Sequence, residues 1–119
     1  MSIVQIQGEE YMVEYDPASH TLTLRGTVRL QNSDEYAPIT ELLQTAHDAA
    51  SAAGQLTLDF RQLQFLNSSG ISMISKFVIN GRKQNRVPLR VLGSQEIYWQ
   101  QKSLANLQKL WPKVVIEIL

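Results

Sequence analysis

The feature that most constrains this chain is its hydrophobic period, which switches from two to about three and a half and back, several times over. Across residues 20–30, Leu22 and Leu24 alternate with Thr21, Thr23 and Arg25, the pattern of a half-buried strand. Tyr36, Ile39, Leu43, Ala46, Ala50 and Ala53 then recur at steps of three and four, the stripe of an amphipathic helix. Gln31-Asn32-Ser33-Asp34 supplies helix-start residues. Pro38 falls in the first turns, where a missing N–H costs little, and Gly54 ends the helix. Residues 55–60 read as a buried strand with Leu56, Leu58 and Phe60 on one face.

A second helix opens at about Ser68, with Ile71, Ile74 and Val78 inward and Gly81 weakening or ending it. Residues 88–92 form a short strand closed by Gly93. A third helix is predicted over residues 94–110, with Ile97, Leu104, Leu107 and Trp111 inward and Pro112 as its stop. Residues 114–119 favour a strand, as do residues 3–7 and 11–15 on either side of the turn signal Gly8.

This order predicts an α/β fold: a mixed sheet with right-handed crossovers, an N-terminal antiparallel hairpin, and about three helices mainly on one face. The 119 residues suit a single domain, 1–119, with one core and no internal repeat or linker. Eleven basic and eleven acidic residues cancel, so no overall field favours nucleic acid or a membrane surface. Without cysteine there is no disulfide, no thiolate catalysis and no sulfur-ligated zinc. Two histidines, His20 and His47, lack a third ligand at metal spacing, so neither metal nor cofactor is expected. With no signal-like start and no apolar run of spanning length, the expected location is cytoplasmic.

One segment stands out chemically. In Phe65-Leu66-Asn67-Ser68-Ser69-Gly70, small polar residues stand between a buried strand and an apolar helix. Helix capping explains such residues, because Asn and Ser side chains accept hydrogen bonds from the orphan N–H groups of the first turn. The same geometry, at the C-terminal end of a strand, also suits an anion or a phosphorylated serine.

The stretch LTLDFRQLQFLNSSGISMI resembles the central motif of STAS domains, specifically the bacterial anti-sigma-factor antagonists. There, a strand ending in Asp leads through a short hydrophobic link to Asp-Ser-Ser/Thr-Gly at the start of a helix. Asp59 takes the place of the strand-end residue, Phe65-Leu66 the link, and Asn67, Ser68, Ser69 and Gly70 the switch loop. The resemblance implies that Ser68 accepts phosphate, with Ser69 a neighbouring cap and secondary acceptor, and Asn67 and Gly70 shaping the loop. It implies as partners a serine/threonine kinase of the histidine-kinase-like ATPase fold, often itself an anti-sigma factor, and a metal-dependent serine/threonine phosphatase. The unphosphorylated antagonist binds and phosphorylation releases it, with no catalysis of its own, as a monomer or weak dimer.

Two departures shape the expected output. Asn67 replaces the family's Asp, keeping hydrogen bonding while losing charge. The stretch from Asn32 to Ile39 looks closer to a divergent STAS-like group that controls cyclic-dinucleotide signalling enzymes. A nucleotide- or small-ligand sensor is the rival from another class, although the chain has no P-loop and no GxGxxG. An enzyme is the third, disfavoured because Ser68 has no supporting base and no GxSxG elbow. Asp59 either orients the Ser68 loop or caps the strand end. Arg61, Lys76, Arg82, Lys83 and Arg86 are solvated or meet an acidic partner. Trp111 is in phase with the third helix, and Trp99, out of phase, is the interface candidate.

Overall fold

The computed structural model describes residues 3–85 and 87–119. In chain order it places β1 (Val4–Gln7), β2 (Tyr11–Asp16), β3 (Thr21–Val28), α1 (Ser33–Ala49), β4 (Leu56–Leu66), α2 (Ser68–Lys83), β5 (Leu89–Gly93), α3 (Gln100–Leu110) and β6 (Val114–Ile118). The strands pair in that same order in one six-stranded sheet. The first three are antiparallel neighbours, and β3 to β6 run parallel. Each parallel crossover advances one strand in the same direction. Right-handed connections then set all three helices side by side on one face, α1 against α2 and α2 against α3. The architecture is the one the alternating periods predict.

The alternation in β3 has its physical cause in this layering. Val13, Leu22, Leu24, Leu56, Leu58 and Phe60 are fully buried beneath the helices, joined from above by Leu43, Phe77 and Leu107. The polar residues between them lie on the sheet's other, solvent-facing side.

β4 continues to Leu66, past the end of the strand read from sequence. Its buried positions change from every second residue to every third: Phe60, Leu63, Leu66. Thr23 faces Asp59 but Arg25 faces Gln62, and Gly26 faces Leu63 but Thr27 faces Phe65. Each slip inserts one extra residue into β4, so two bulges erase the period-two signal. Beyond Asp59, β4 has no pairing with β5, and its carbonyls need other donors. Gln100 supplies two of them. Its Nε2 donates to the Phe60 and Leu63 carbonyls at 2.6 and 3.0 Å, and its Oε1 accepts from the Ser94 N–H at 2.8 Å. Trp99 Nε1 donates to the Gln64 carbonyl at 3.0 Å. Trp99, the interface candidate, is thus a half-buried clamp on β4. The same bonds fold residues 94–99 into turns, so α3 starts at Gln100 and not at Ser94.

Gly81 does not break α2, which runs through it to Lys83. It is buried, and a Cβ there would lie 2.9 Å from Trp111 Cζ3 and 3.1 Å from His47 Cε1, so the glycine permits close packing. His47 is buried beside the Phe77 ring. Its Nε2 lies 2.8 Å from the Val87 carbonyl, a pure acceptor, so Nε2 carries the hydrogen. Ala53 lies outside the α1 stripe: the helix stops at Ala49, a short 3-10 turn covers Ala50–Ala52, and Ala53 is exposed. Among the described residues, no helix is long and apolar enough to cross a membrane, and no cluster of three or more His, Asp or Glu is placed to hold a metal.

Candidate functional site

At the end of β4, Leu66 is the last buried residue before the backbone turns. Asn67 keeps an extended backbone (φ −74°, ψ 175°), and Ser68 is the first residue of α2. The helix cap therefore falls on Asn67. Its Oδ1 accepts from the Gly70 N–H at 2.9 Å and from the Tyr36 hydroxyl at 2.7 Å. Its Nδ2 donates to the Leu30 carbonyl at 2.8 Å, and its backbone N–H donates to the Val28 carbonyl at 3.2 Å. One side chain thus ties α2 to α1 and to the connection leaving β3.

Gly70 is buried, and a Cβ there would crowd Leu66 and stand 2.7 Å from the Tyr36 hydroxyl oxygen, so the glycine admits this close approach. Burial, opposed by a hydrogen bond with the Leu30 backbone and helped by the nearby Tyr11 and Glu35, pushes the Tyr36 phenol above its ordinary pKa; like any phenol, it is a hydrogen-bond donor at neutral pH.

This arrangement explains why the chain carries Asn where the resembling family has Asp. The Leu30 carbonyl only accepts, and a carboxylate cannot donate to it. Asn67→Asp is expected to destabilise the domain by about 1–3 kcal/mol near neutral pH, because two acceptor oxygens would be forced together. The loss should shrink in acid, where the protonated carboxyl can donate. Urea denaturation at pH 7 and pH 4, each against the parent protein, measures both effects.

With Asn67 as cap, the two serines are released from that duty. Ser68 is exposed, and among the described residues no hydrogen bond holds its hydroxyl. Ser69 is half-buried and is not the cap expected of it, since the backbone is already helical at Ser68. It lines a groove of about 580 Å³ between α1 and α2, floored by Tyr36, Met73 and Phe77 and flanked by Glu41 and Lys76. The N–H groups of Ser68 and Ser69 precede the first that bond within this cap, those of Gly70 and Ile71. They point out of the positive end of the helix dipole.

Asp59 does not join this loop. It is the fourth residue of the eleven in β4, between Thr23 of β3 and Leu92 of β5, on the solvent-facing side of the sheet. Its carboxylate accepts from the Arg61 backbone N–H at 3.0 Å and from the Arg61 guanidinium at 3.0 and 2.8 Å. The strand-end position assigned to it fails because the bulged strand runs on to Leu66. Burial pulls its pKa upward, but the Arg61 hydrogen bonds and the Arg61 and Arg25 charges outweigh this and hold it below the usual carboxylate value. The pair's contribution to stability is complete above the ordinary carboxylate pKa and fades as pH falls through the lowered one.

Of the cations offered for an acidic partner, Arg61 is thus engaged by Asp59, and Arg82 donates to the Leu110 carbonyl. Lys76 stands at the groove, Lys83 is exposed, and Arg86 lies outside the described residues. Tyr36 was read from sequence only as part of a helix stripe. Its partnership with Asn67, 31 residues away, was not visible there.

No family model and no curated protein matches the chain. Solved structures do. SiaC of Pseudomonas aeruginosa superimposes with a TM-score of 0.71 at 16% identity, covering 100% of both chains. A chain from the complex of the diguanylate cyclase SiaD with its activator SiaC, also from Pseudomonas aeruginosa, gives 0.71 at 17% identity, covering 98% of this chain and 99% of that one. An anti-sigma factor antagonist from Mycobacterium paratuberculosis gives 0.50 at 19% identity, covering 96% and 86%. The fold is STAS-like. Within this STAS-like fold, the antiparallel hairpin, the parallel half-sheet and the one-sided helices stand as the sequence predicts.

Proposed function

We propose that this domain is a phosphorylation-switched binding module whose acceptor is Ser68. The observation that carries the reading is the division of labour at α2: Asn67 does the capping, which leaves an exposed, unengaged hydroxyl at the first helical residue. A phosphate there meets two outward N–H groups and the positive helix end. The kinase is of the histidine-kinase-like ATPase fold, a metal-dependent phosphatase reverses it, and the cell compartment is the cytoplasm. The domain itself performs no turnover.

For the output, full-length similarity to SiaC, described as the activator of a diguanylate cyclase, favours a signalling enzyme over sigma-factor control. Mass spectrometry after incubation with ATP and a candidate kinase of this class tests the acceptor. Phosphate on Ser68, lost in Ser68→Ala and kept in Ser69→Ala, is the expected result. Modification of Ser69 alone, or survival in Ser68→Ala, overturns the assignment.

A further inference from the structure

We propose that the free edge of β1 pairs with the β1 of a second copy, forming a two-fold dimer with Gln5 on the axis. Among the described residues, β1 has a strand neighbour on one side only. Natural sheet edges are usually guarded by charge, proline or a bulge. Residues 3–7, Ile-Val-Gln-Ile-Gln, have none of these, and Ile3 and Val4 are 51% and 48% exposed. The opposite edge, β6, carries Glu117, which is ion-paired with Arg90.

The hairpin fixes which backbone groups are free. The Gly8 N–H donates to the Tyr11 carbonyl at 2.9 Å, which makes that pair hydrogen-bonded. Bonded and non-bonded pairs alternate from there, so Ile6 and Val4 bond inward to β2, while Gln5 and Gln7 turn their N–H and C=O groups outward. Ile3, Gln5 and Gln7 therefore form a row of unused donors and acceptors.

Antiparallel self-pairing satisfies that row best in one register. Gln5 opposes Gln5 of the second copy, and Ile3 opposes Gln7 of the second copy, with no like charges facing each other. On the helix-side face, the same register sets Val4 beside Ile6 of the second copy. Both residues floor an apolar groove of about 580 Å³ that Tyr15, Pro17, Pro38 and Leu42 continue. A slip by two residues would face Ile3 toward Glu9 and leave fewer bonds. Because β1 runs parallel to β4, this two-fold arrangement turns the two Ser68 loops toward opposite ends, so each remains free to meet its own partner.

The chain lacks cysteine, so single substitutions report the register cleanly. Facing residues of a bonded antiparallel pair have Cα atoms about 5.5 Å apart, within disulfide reach. Gln7 of one copy stands four residues from Gln7 of the other, about 13 Å. Under copper–phenanthroline oxidation, Gln5→Cys should convert to a covalent dimer and Gln7→Cys should stay monomeric, with circular dichroism checking that both fold. Sedimentation of the unmodified protein from about 10 µM to 1 mM should show a monomer–dimer equilibrium. Gln5→Lys, which sets two charges on the axis, should weaken it about fivefold. A protein monomeric throughout, equal cross-linking of the two cysteine variants, or mass growing past the dimer through β1–β6 contacts would overturn the proposal.

Discussion

Gln100→Ala should lower the stability of the domain by about 3–5 kcal/mol, a large share of the ~5–15 kcal/mol typical of such domains. The side chain is fully buried and makes three hydrogen bonds, to the Phe60 and Leu63 carbonyls and the Ser94 N–H. Truncation leaves all three backbone groups without their partner at the place where β4 has already lost its pairing with β5. Each orphaned group costs about 1–3 kcal/mol unless water reaches it. The α3 N-terminus and residues 94–99 should loosen first, which hydrogen exchange would register as lost protection in that segment.

Gln100→Glu separates hydrogen bonding from volume. The carboxylate can still accept from Ser94 but faces two carbonyl oxygens, which raises its pKa in the folded state. The folded protein then binds more protons than the unfolded chain, so this variant's stability relative to the parent should recover as pH falls through the raised pKa. Urea denaturation of the parent, Gln100→Ala and Gln100→Glu between pH 4 and 8 is the measurement. A loss under about 1 kcal/mol in Gln100→Ala, or no acid recovery in Gln100→Glu, would mean that these bonds contribute little.

Gln100 also marks the boundary of what the sequence discloses. Where one local period governs, as in Leu22 and Leu24 of β3 or the Tyr36–Ile39–Leu43–Ala46 stripe of α1, residue order is sufficient to read the element and its buried face. The second half of β4 is a strand whose alternation is broken by two bulges, and Phe60, Leu63 and Leu66 at steps of three read as neither strand nor helix. Gln100 and Trp99 satisfy carbonyls 35 to 40 residues away, so their roles exist only once the bulges do. Gly81 looks like a helix breaker until Trp111 and His47 are packed against it. The switch loop divides in the same way. Its start at Ser68 follows from local cap chemistry, whereas the assignment of the cap to Asn67, and the freedom this leaves Ser68, depend on Tyr36 and Leu30 across the fold. Asp59 went astray for the same reason, because its place along the strand depends on where a bulged strand stops.

On the reading proposed for Ser68, its phosphorylation should weaken partner binding at least about a hundredfold while leaving the domain's melting temperature nearly unchanged. The modification adds about −1.5 to −2 charges and three strong acceptor oxygens at neutral pH. Inside the domain these meet little resistance: Ser68 is exposed, its hydroxyl breaks no hydrogen bond on being modified, and the outward N–H groups of Ser68 and Ser69 lie at the favourable dipole end. The Asn67 network, which fixes the loop, lies beneath the serine and is untouched. A partner surface closed over the unmodified loop must instead bury, or make room for, a strongly solvated dianion. Lys76, the cation lining the adjoining groove, lies two turns further along α2. An uncompensated buried charge costs several kcal/mol, and each ~1.4 kcal/mol is tenfold in affinity. Ser68→Asp supplies only part of the charge and a shorter reach, so its effect should have the same sign and a smaller size. Isothermal titration of the binding partner against unmodified, phosphorylated and Ser68→Asp protein, paired with thermal melts of each, measures both halves. If phosphorylation lowers the melting temperature as a lost α2 cap would, or leaves affinity unchanged, the switch is not the local charge effect derived from this geometry.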